Sequence, residues 1–283
     1  MRQHSIKTPI SATGIGIHSG RESTITLLPA PENTGIIFIR NKTLIKANVH
    51  NVSRTLMATT IGQGEDSIAM VEHLMSACAG LNIDNLYVWC SEKEMPIFDG
   101  SSTTYCHLIQ QAGILKQNST RMYLRVTESF TVESKGASMT LHPHSKHLID
   151  FNIINPHPAF DNNRSFTYSL NSDYEEQIAP ARTFGYMKEL ARLNSLQLAK
   201  GASTENCLPI DDYKSTIPKR YPNEMIRHKV LDIIGDFYLL GYPFIGRIEC
   251  NDTGHRTNNL ALKHMMKNGL YRIYNKRFSF TQS

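Results

Sequence analysis

The hydrophobic pattern of the chain predicts short strands joined by turns and interrupted by a few amphipathic helices. In the first third, residues 24–27 and 36–39 are apolar runs on either side of a loop rich in Pro and Gly, a pattern typical of a β-hairpin. Residues 86–90 are a further apolar and aromatic run that favours a strand. This part of the chain is therefore expected to contain a sheet.

Two longer segments carry the helical spacing of apolar residues. One spans residues 67–79 and is followed by Gly80, and the other spans residues 224–240 and is followed by Gly241. Each glycine leads through a turn into a new strand pattern. Because this order occurs once in each half of the chain, it predicts two related α+β units.

The boundary between these units is predicted in the polar stretch of residues 116–121. This gives a first unit over residues 1–119 and a second over residues 120–283. The strand and helix patterns begin again after the boundary. Strands are expected at residues 123–126, 137–141 and 148–154, and a helix at residues 187–200.

Composition and charge exclude several classes of protein. The 283 residues are 40% hydrophobic and 19% charged, which excludes a disordered or fibrous chain. A net charge of +5 suits an anionic small molecule or a membrane surface but is too small to require nucleic acid. A basic cluster near the C-terminus is interpreted as charged surface; it contains Lys263, Lys267, Arg272, Lys276 and Arg277.

The cysteine pattern and the apolar runs bear on the compartment. The five cysteines form no C-x-x-C pair and lie mostly in apolar stretches, which favours reduced thiols. The N-terminus lacks the apolar core of a signal peptide. The longest apolar stretch, residues 230–245, is interrupted by Asp232 and Asp236, so no transmembrane helix is expected. These features predict a cytoplasmic protein.

The helix predicted at residues 224–240 carries a polar stripe. His228, Asp232 and Asp236 recur at intervals of four residues, so their side chains share one face. The other side of the helix is apolar and packs into a core, which leaves the stripe either to face water or to line a cleft. A His and an Asp one helical turn apart are also a suitable pair of ligands for Zn²⁺.

A metal site needs a third ligand, and the first helix offers one. Glu72 and His73 are adjacent there, and a His ligand beside a carboxylate base is the combination that metal-assisted hydrolysis requires. A lone His in an apolar helix is also common as a structural residue, and the chain has no H-E-x-x-H motif. A His-rich turn at residues 142–147 lacks zinc-site spacing and is interpreted as a solvated loop.

Uncommon motifs follow one another along nearly the whole chain, over residues 3–270. They are Thr13-Gly14-Ile15-Gly16-Ile17-His18-Ser19-Gly20, Val71-Glu72-His73-Leu74, Asp84-Asn85, Pro96-Ile97-Phe98-Asp99-Gly100-Ser101, Ala181-Arg182-Thr183-Phe184-Gly185, Arg227-His228-Lys229 with Asp232 and Asp236, and Gly254-His255 with Asn259. In content and order they closely resemble the bacterial UDP-3-O-acyl-N-acetylglucosamine deacetylases. The resemblance implies a zinc-dependent hydrolase that acts in the committed step of lipid A biosynthesis.

The resemblance also implies roles for individual residues. One zinc ion per chain would be bound by His73, His228 and Asp232, and Glu72 would act as the general base. Thr183 would assist at the oxyanion. The other implied active-site groups are Lys229, Asp236 and His255. The implied fold is α+β, with two related βααβ-type units packed helix layer to helix layer, each with an insert.

The implied substrate is an acylated UDP-sugar, and features of the chain suit it. Lys229 is a candidate partner for the diphosphate. Residues 187–199 carry Leu and Ala on more than one helical face, so this segment is either buried core or the wall of an acyl passage, and the resemblance favours the passage. We expect a monomer that uses no nucleic acid and makes transient contact with the inner membrane surface.

Two other functions stay open from the sequence. The first is a zinc amidohydrolase that acts on a different N-acetyl sugar. The second is a basic protein that binds lipid or nucleic acid without turnover. Tightly bound zinc together with acetate release would separate an enzyme from such a binding protein.

Overall fold

The computed structural model describes residues 1–160, 163–170 and 173–275, which fold as an α+β protein. The strands are β1 (Arg2–Ile6), β2 (Ile10–Ile15), β3 (Glu22–Pro29), β4 (Ile36–Arg40), β5 (Thr43–Lys46), β6 (Val52–Arg54), β7 (Thr60–Ile61), β8 (Leu86–Cys90), β9 (Ile114–Thr120), β10 (Met122–Val126), β11 (Phe130–Ser134), β12 (Ala137–His142), β13 (His147–Asn152), β14 (Ser165–Ser169), β15 (Phe184–Tyr186), β16 (Leu208–Ile210), β17 (Phe244–Asn251) and β18 (Tyr271–Asn275). The helices are α1 (Glu72–Gly80), α2 (Thr103–Ala112), α3 (Tyr174–Gln177), α4 (Leu190–Ser195), α5 (Glu224–Tyr238) and α6 (His255–Lys267).

A five-stranded sheet in the first half of the chain has the order β2-β3-β8-β4-β5. The runs at residues 24–27, 36–39 and 86–90 are all strands of this sheet, as predicted. The first two do not form a hairpin, however, because β8 lies between them, antiparallel to β3 and parallel to β4. Strand β8 places Leu86, Val88 and Cys90 in the core. The loop between β3 and β4 predicted a hairpin, but burial of this apolar strand between them is more favourable.

A seven-stranded sheet in the second half has the order β11-β12-β17-β10-β18, with β13 and β14 attached to it. Strand β17 lies at its centre and pairs with β10, β12 and β13. The three strands predicted between residues 123 and 154 are present as β10, β12 and β13. The alternating burial along β12 and β13 explains why the period-two pattern was informative there.

Helices α1 and α5 pack directly against each other within one continuous apolar core. A Cβ atom on Gly235 would lie 2.0 Å from the carbonyl oxygen of Glu72, so only glycine permits this approach. Almost every residue of both helices is buried. A close contact between the two halves of the chain therefore lies between the two helices that carry candidate site residues.

Helix α1 begins at Glu72, later than the hydrophobic pattern predicted. Before it, Ile61 and Ile68 exchange backbone hydrogen bonds, and Met70 adopts a positive φ of 62°. This segment is held extended by partners outside the local sequence, which a helical periodicity does not reveal. Helix α5 begins at the predicted residue and ends within two residues of the predicted end.

The polar stretch predicted as a linker is folded. Ile114–Thr120 forms β9, which pairs antiparallel with β1, more than 100 residues earlier in the chain. The linker prediction is therefore wrong, because a polar strand of this kind is recognised only through its distant partner. The boundary between residues 119 and 120 stays a prediction.

The structure also bears on the cysteines and the apolar runs. All five cysteines are free thiols, and four of them are buried, as the sequence predicted for small apolar side chains. Within the described residues, no helix combines the length and the apolar character needed to cross a lipid bilayer.

Candidate active site

The contact between α1 and α5 brings the three predicted metal ligands together. His73 lies in the first turn of α1, and His228 and Asp232 lie one turn apart on α5. One ligand atom from each residue lies within 4.8 Å of the others, and all three side chains are buried. In the described part of the chain, no other group of His, Cys, Asp and Glu side chains converges in this way.

Backbone carbonyl groups orient both histidine rings. Nδ1 of His228 lies 3.0 Å from the carbonyl oxygen of Ala181, and Nδ1 of His73 lies 3.4 Å from that of Ser101. Because a carbonyl only accepts, each Nδ1 carries the proton and each Nε2 is free to bind a metal. Oδ1 of Asp232 is buried without a hydrogen-bond partner among the described residues. Two imidazole nitrogens and one carboxylate oxygen are a donor set that fits Zn²⁺.

The polar stripe of α5 is buried. His228, Asp232 and Asp236 expose only 3%, 2% and 2% of their surface. Of the two interpretations that the sequence left open, the solvated stripe is therefore wrong. Ionisable groups are buried at a high free-energy cost unless they are paired or bind a metal, so this stripe marks a candidate functional site.

A second group of side chains adjoins the ligands. Nδ1 of His255 lies 2.8 Å from Oδ2 of Asp236, and Nε2 of His255 lies 3.5 Å from Oε1 of Glu72. The same Nε2 lies 3.9 Å from Oδ2 of Asp232. His255 is the first residue of α6, which fixes its ring at the end of a helix that packs on α5. The structure thus brings the predicted residues Glu72, Asp236 and His255 next to the three candidate ligands, which we call the ligand group.

Two residues that complete this network were missed by the sequence analysis. Thr59 donates its backbone N–H to Oε2 of Glu72 at 3.1 Å and its hydroxyl to Oδ1 of Asp236 at 2.6 Å. Asn258 donates its side-chain amide to Oδ2 of Asp236 at 2.8 Å. Asn258 lies three residues after His255 on α6, so helical spacing was an available signal. Thr59 had no local signal, because only tertiary packing brings its loop to the site.

Burial and neighbouring charges set the protonation states of the site. Burial raises the pKa of Glu72 to about 8, and it lowers the pKa of His73 to about 3 and that of His228 as well. Burial also acts to lower the pKa of His255, but the carboxylates of Asp236 and Glu72 outweigh it and raise that pKa to about 10. His255 is therefore a cation at neutral pH, whereas the two candidate ligand rings are neutral, the form that binds a metal.

Asp232 and Lys229 form an ion pair at the rim of the site. Burial acts to raise the pKa of Asp232, but His228 and Lys229 outweigh it and hold this pKa well below its usual range. Nζ of Lys229 lies 3.1 Å from Oδ2 of Asp232 and 5.3 Å from the centre of the Phe184 ring. Asp232 is thus ionised, with Oδ2 held by Lys229 and Oδ1 lying 3.4 Å from Nε2 of the candidate ligand His228.

Comparison with known proteins shows the family of this chain. The family profile described as LpxC, UDP-3-O-acyl N-acetylglycosamine deacetylase, matches residues 3–267. UDP-3-O-acyl-N-acetylglucosamine deacetylases of Legionella pneumophila are 41% identical over 94% of this chain and 90% of their own length. Those of Coxiella burnetii are 38% identical over the same shares. The chain belongs to this deacetylase family.

Family membership confirms the resemblance that the sequence motifs indicated, and it makes the chain a deacetylase. The three candidate ligands line a cavity of about 310 Å³. Thr183 and Lys229 line this cavity together with Glu72, His73 and His255. Every residue that the deacetylase motifs singled out for chemistry is thus in or beside one cavity, with Asp236 behind His255.

A second, mainly apolar cavity of about 380 Å³ shares Thr183 and Phe184 with the first. Leu190 and Leu193 of α4 also line it, and Leu193 lines the first cavity as well. The two cavities thus have part of their walls in common.

Helix α4 is shorter and more exposed than the hydrophobic pattern suggested. It covers only Leu190–Ser195, and the positive φ angles of Gln197 and Ala199 turn the chain away after it. None of its residues is buried, and Leu190 is 44% exposed, while Met187 before the helix and Leu196 after it are 52% and 53% exposed. The alternative that this segment is buried core is therefore wrong.

The two remaining clusters differ in outcome. His147 of the His-rich turn begins β13, is buried against Phe244 and has no hydrogen-bond partner for Nε2 among the described residues. Burial lowers its pKa to about 4, so the solvated-loop interpretation is wrong for this residue. Lys276 and Arg277 of the basic cluster lie outside the described residues. Its other members are exposed, as predicted: Lys263, Lys267 and Arg272.

Proposed function

We propose that this protein is a zinc-dependent deacetylase that hydrolyses the N-acetyl amide of UDP-3-O-acyl-N-acetylglucosamine. The products are UDP-3-O-acyl-glucosamine and acetate, and the reaction is the committed step of lipid A biosynthesis. One observation carries the proposal: three ligand atoms converge within 4.8 Å beside Glu72 and His255, in a chain whose relatives are named for this substrate.

One zinc ion per chain would be held by His73, His228 and Asp232. When bound, zinc supplies Lewis-acid polarisation of the amide carbonyl and activation of water. The protein presents these ligands in the required protonation states. The two rings keep their protons on Nδ1, where the carbonyls of residues 101 and 181 accept them, and the Asp232 carboxyl group is ionised.

Glu72 is proposed as the general base. Its Oε2 already accepts the backbone N–H of Thr59, so Oε1 is the oxygen that remains to accept a proton from water. Burial raises its pKa to about 8, close enough to neutrality for the same carboxyl group to take up a proton and release it again.

His255 is proposed as a cationic proton donor. Asp236 accepts the Nδ1–H of the ring, so Nε2–H is the donor that points toward Glu72 and the ligand group. From there it would donate to the departing amine or stabilise the oxyanion. The Thr183 hydroxyl group, in the wall of the same cavity, would be a further donor to the oxyanion.

The rest of the substrate would occupy the neighbouring surfaces. Lys229 at the rim would bind the diphosphate, and the apolar cavity beside Leu190 and Leu193 would receive the acyl chain. Exposed apolar side chains near α4 accompany Lys188 and Arg192, a combination suited to transient contact with an anionic inner membrane surface. The protein would act as a cytoplasmic monomer without nucleic acid.

The two halves are proposed to be related βααβ-type units that pack helix layer to helix layer, each with an insert. The units would be residues 1–119 and 120–283. Each contains a buried helix, α1 or α5, followed by a strand that pairs in parallel with an earlier strand of its own sheet. The exposed α4 region would belong to the insert of the second unit.

Acetate release from the acylated UDP-sugar by the zinc-loaded protein tests this function. We expect release that a chelator abolishes and added zinc restores. UDP-N-acetylglucosamine without the acyl chain is the control substrate. Equal release from both substrates would contradict the acyl-sugar assignment and favour a deacetylase of another N-acetyl sugar. No release from either, with zinc bound, would contradict hydrolysis itself.

A further inference from the structure

We propose that Glu224 and Arg182 are positioning residues for the active site, which together hold the peptide group between Ala181 and Arg182 in the orientation that fixes the His228 ring. The inference rests on the proposed function, because it assumes that His228 binds the catalytic metal. Neither residue touches the ligand group, and nothing in the proposed chemistry uses them.

Glu224 extends the stripe of α5 by one turn toward the N-terminus. It lies four residues before His228, and its side chain has no exposed surface. A carboxyl group at the first turn of a helix is stabilised by the helix dipole, but this one also accepts hydrogen bonds from another segment. Oε1 accepts the backbone N–H of Arg182 at 3.0 Å and Nε of its guanidinium group at 2.9 Å. Oε2 accepts Nη2 of the same residue at 3.2 Å.

The peptide group between Ala181 and Arg182 is therefore bound at both ends by α5. Its N–H donates to Glu224, and its carbonyl oxygen accepts Nδ1–H of His228 at 3.0 Å. The peptide group is planar, and its N–H and C=O point in opposite directions. Two side chains one helical turn apart can thus hold its two ends, and a rotation that frees the N–H also moves the carbonyl group away from His228.

The same segment carries the next candidate active-site residue. Thr183 is anchored on both sides of its backbone, because its N–H donates to the carbonyl group of Gly100 and its own carbonyl accepts the N–H of Leu208, both at 2.8 Å. Residues 181–183 are thus held by backbone hydrogen bonds at Thr183 and by the side chain of Glu224 at Arg182. Loss of the Glu224 anchor would loosen the carbonyl group of Ala181 more than the hydroxyl group of Thr183.

A second buried pair of the same kind provides a matched control. Nε of Arg121 lies 2.7 Å from Oδ1 of Asp84, and Nη2 of Arg121 lies 3.3 Å from the hydroxyl group of Tyr238, the last residue of α5. Both pairs are thus buried Arg–carboxylate pairs in contact with α5, one at each end of the helix. Only the Glu224 pair is linked to a candidate metal ligand.

The test compares Glu224→Gln with Asp84→Asn in the zinc-loaded enzyme. Each change replaces one carboxylate by an amide, so both variants should lose stability to a similar extent in thermal unfolding. The rate of zinc transfer to a chelator should rise about tenfold in Glu224→Gln, the lower end of the range for partners of metal ligands. In Asp84→Asn it should stay within twofold of the wild-type rate. We also expect kcat to fall in Glu224→Gln while KM stays near the wild-type value.

Equal zinc-transfer rates in the two variants would overturn the positioning role. If Glu224→Gln does not fold, Arg182→Lys replaces it, since this change keeps the positive charge and the backbone N–H but loses the two-nitrogen contact. An increase of a few-fold in the zinc-transfer rate is then expected, and a wild-type rate would overturn the inference. Wild-type protein that holds no zinc would contradict the proposed function and this inference with it.

Discussion

Helices α5 and α4 depart from the usual distribution of polar and apolar residues in opposite directions. Helix α5 buries a stripe of one histidine and three carboxylates along one face, whereas the α4 segment leaves Met187, Leu190 and Leu196 about half exposed. Most charged side chains in proteins face water, and single exposed apolar residues are common, but a cluster beside a cavity is not. Residues of α5 line the cavity at the ligand group, and Leu190 and Leu193 of α4 line the apolar cavity beside it.

Each of these two unusual surfaces matches a need of the proposed reaction: buried ionisable groups for the chemistry, and exposed apolar groups for an acyl chain. The stripe of α5 is paired with α1, α6 and the loop at Thr59, so its ionisable groups have partners or a place in the ligand group. The apolar side chains of α4 are not buried by the described residues, and in the proposed function they would contact the acyl chain of the substrate. Charged side chains are usually exposed and apolar ones buried. A catalytic centre needs buried ionisable groups, whereas a surface that binds lipid needs exposed apolar groups.

The largest expected effect separates the proposed base, Glu72, from the candidate ligand on α1, His73. Glu72→Ala should keep the zinc ion and lower kcat by about 10²- to 10⁴-fold, because Glu72 is assigned to proton transfer and not to metal binding. His73→Ala should lose the zinc ion, because it removes one of three ligands. Zinc content per chain and kcat are measured for both variants. Equal zinc loss would show that the base assignment is wrong.

The next effect tests whether close packing of α1 on α5 assembles the stripe. Gly235→Ala would place a methyl group 2.0 Å from the carbonyl oxygen of Glu72, so the helices must separate. We expect the free energy of unfolding to fall by about 3 kcal/mol, with weaker zinc binding, in denaturant titrations. Gly185→Ala is the control, because its Cβ would make only an ordinary contact at 3.7 Å. Unchanged stability in Gly235→Ala would contradict the close approach.

His147 tests whether burial of an ionisable group by itself marks the active site. Burial lowers the pKa of His147 to about 4 in the folded protein, against about 6.5 in the unfolded chain. The neutral ring therefore contributes stability that is fully present above pH 6.5 and is lost as the pH falls toward 4. Between pH 7 and pH 4.5, wild type should lose about 2 kcal/mol more stability than His147→Gln.

Chemical denaturation at the two pH values measures this difference. Activity at neutral pH should be unchanged in His147→Gln, since the residue lies outside both cavities of the proposed site. An equal loss of stability on acidification in the two proteins would show that His147 does not titrate as a buried ring.

The smallest effect concerns the exposed apolar side chains of α4. Leu190→Asp should lower kcat/KM about tenfold for a long-chain substrate, roughly the loss of apolar contact with two CH₂ groups, and should leave a short-chain substrate unaffected. Leu260→Asp is the matched control, because Leu260 is exposed to 41% on α6 and lies outside the apolar cavity. Equal losses for the long and short chains would contradict an acyl passage beside α4.

The sequence by itself determined the pieces that depend on local periodicity and on motifs. The start of α5, the shared face of His228, Asp232 and Asp236, and the strands β10, β12 and β13 follow from spacings of 3.6 and 2 residues. The motif order also indicated the family, which the comparisons confirm. These signals are local, because each depends on a few consecutive residues.

Only the tertiary structure decided what each of these faces packs against. Periodicity indicates which side of α5 is polar, but that side is buried because α1 packs against it. This close packing requires glycine at position 235, since any Cβ atom there would clash with the carbonyl oxygen of Glu72. Likewise, β8 lies between β3 and β4 in the sheet, and β9 pairs with the distant strand β1. Thr59 donates a hydrogen bond to Asp236, which is far from it in the sequence. Such pairings depend on the apolar area that the whole molecule buries and on the hydrogen bonds that it satisfies. Neither quantity can be calculated from a short stretch of sequence.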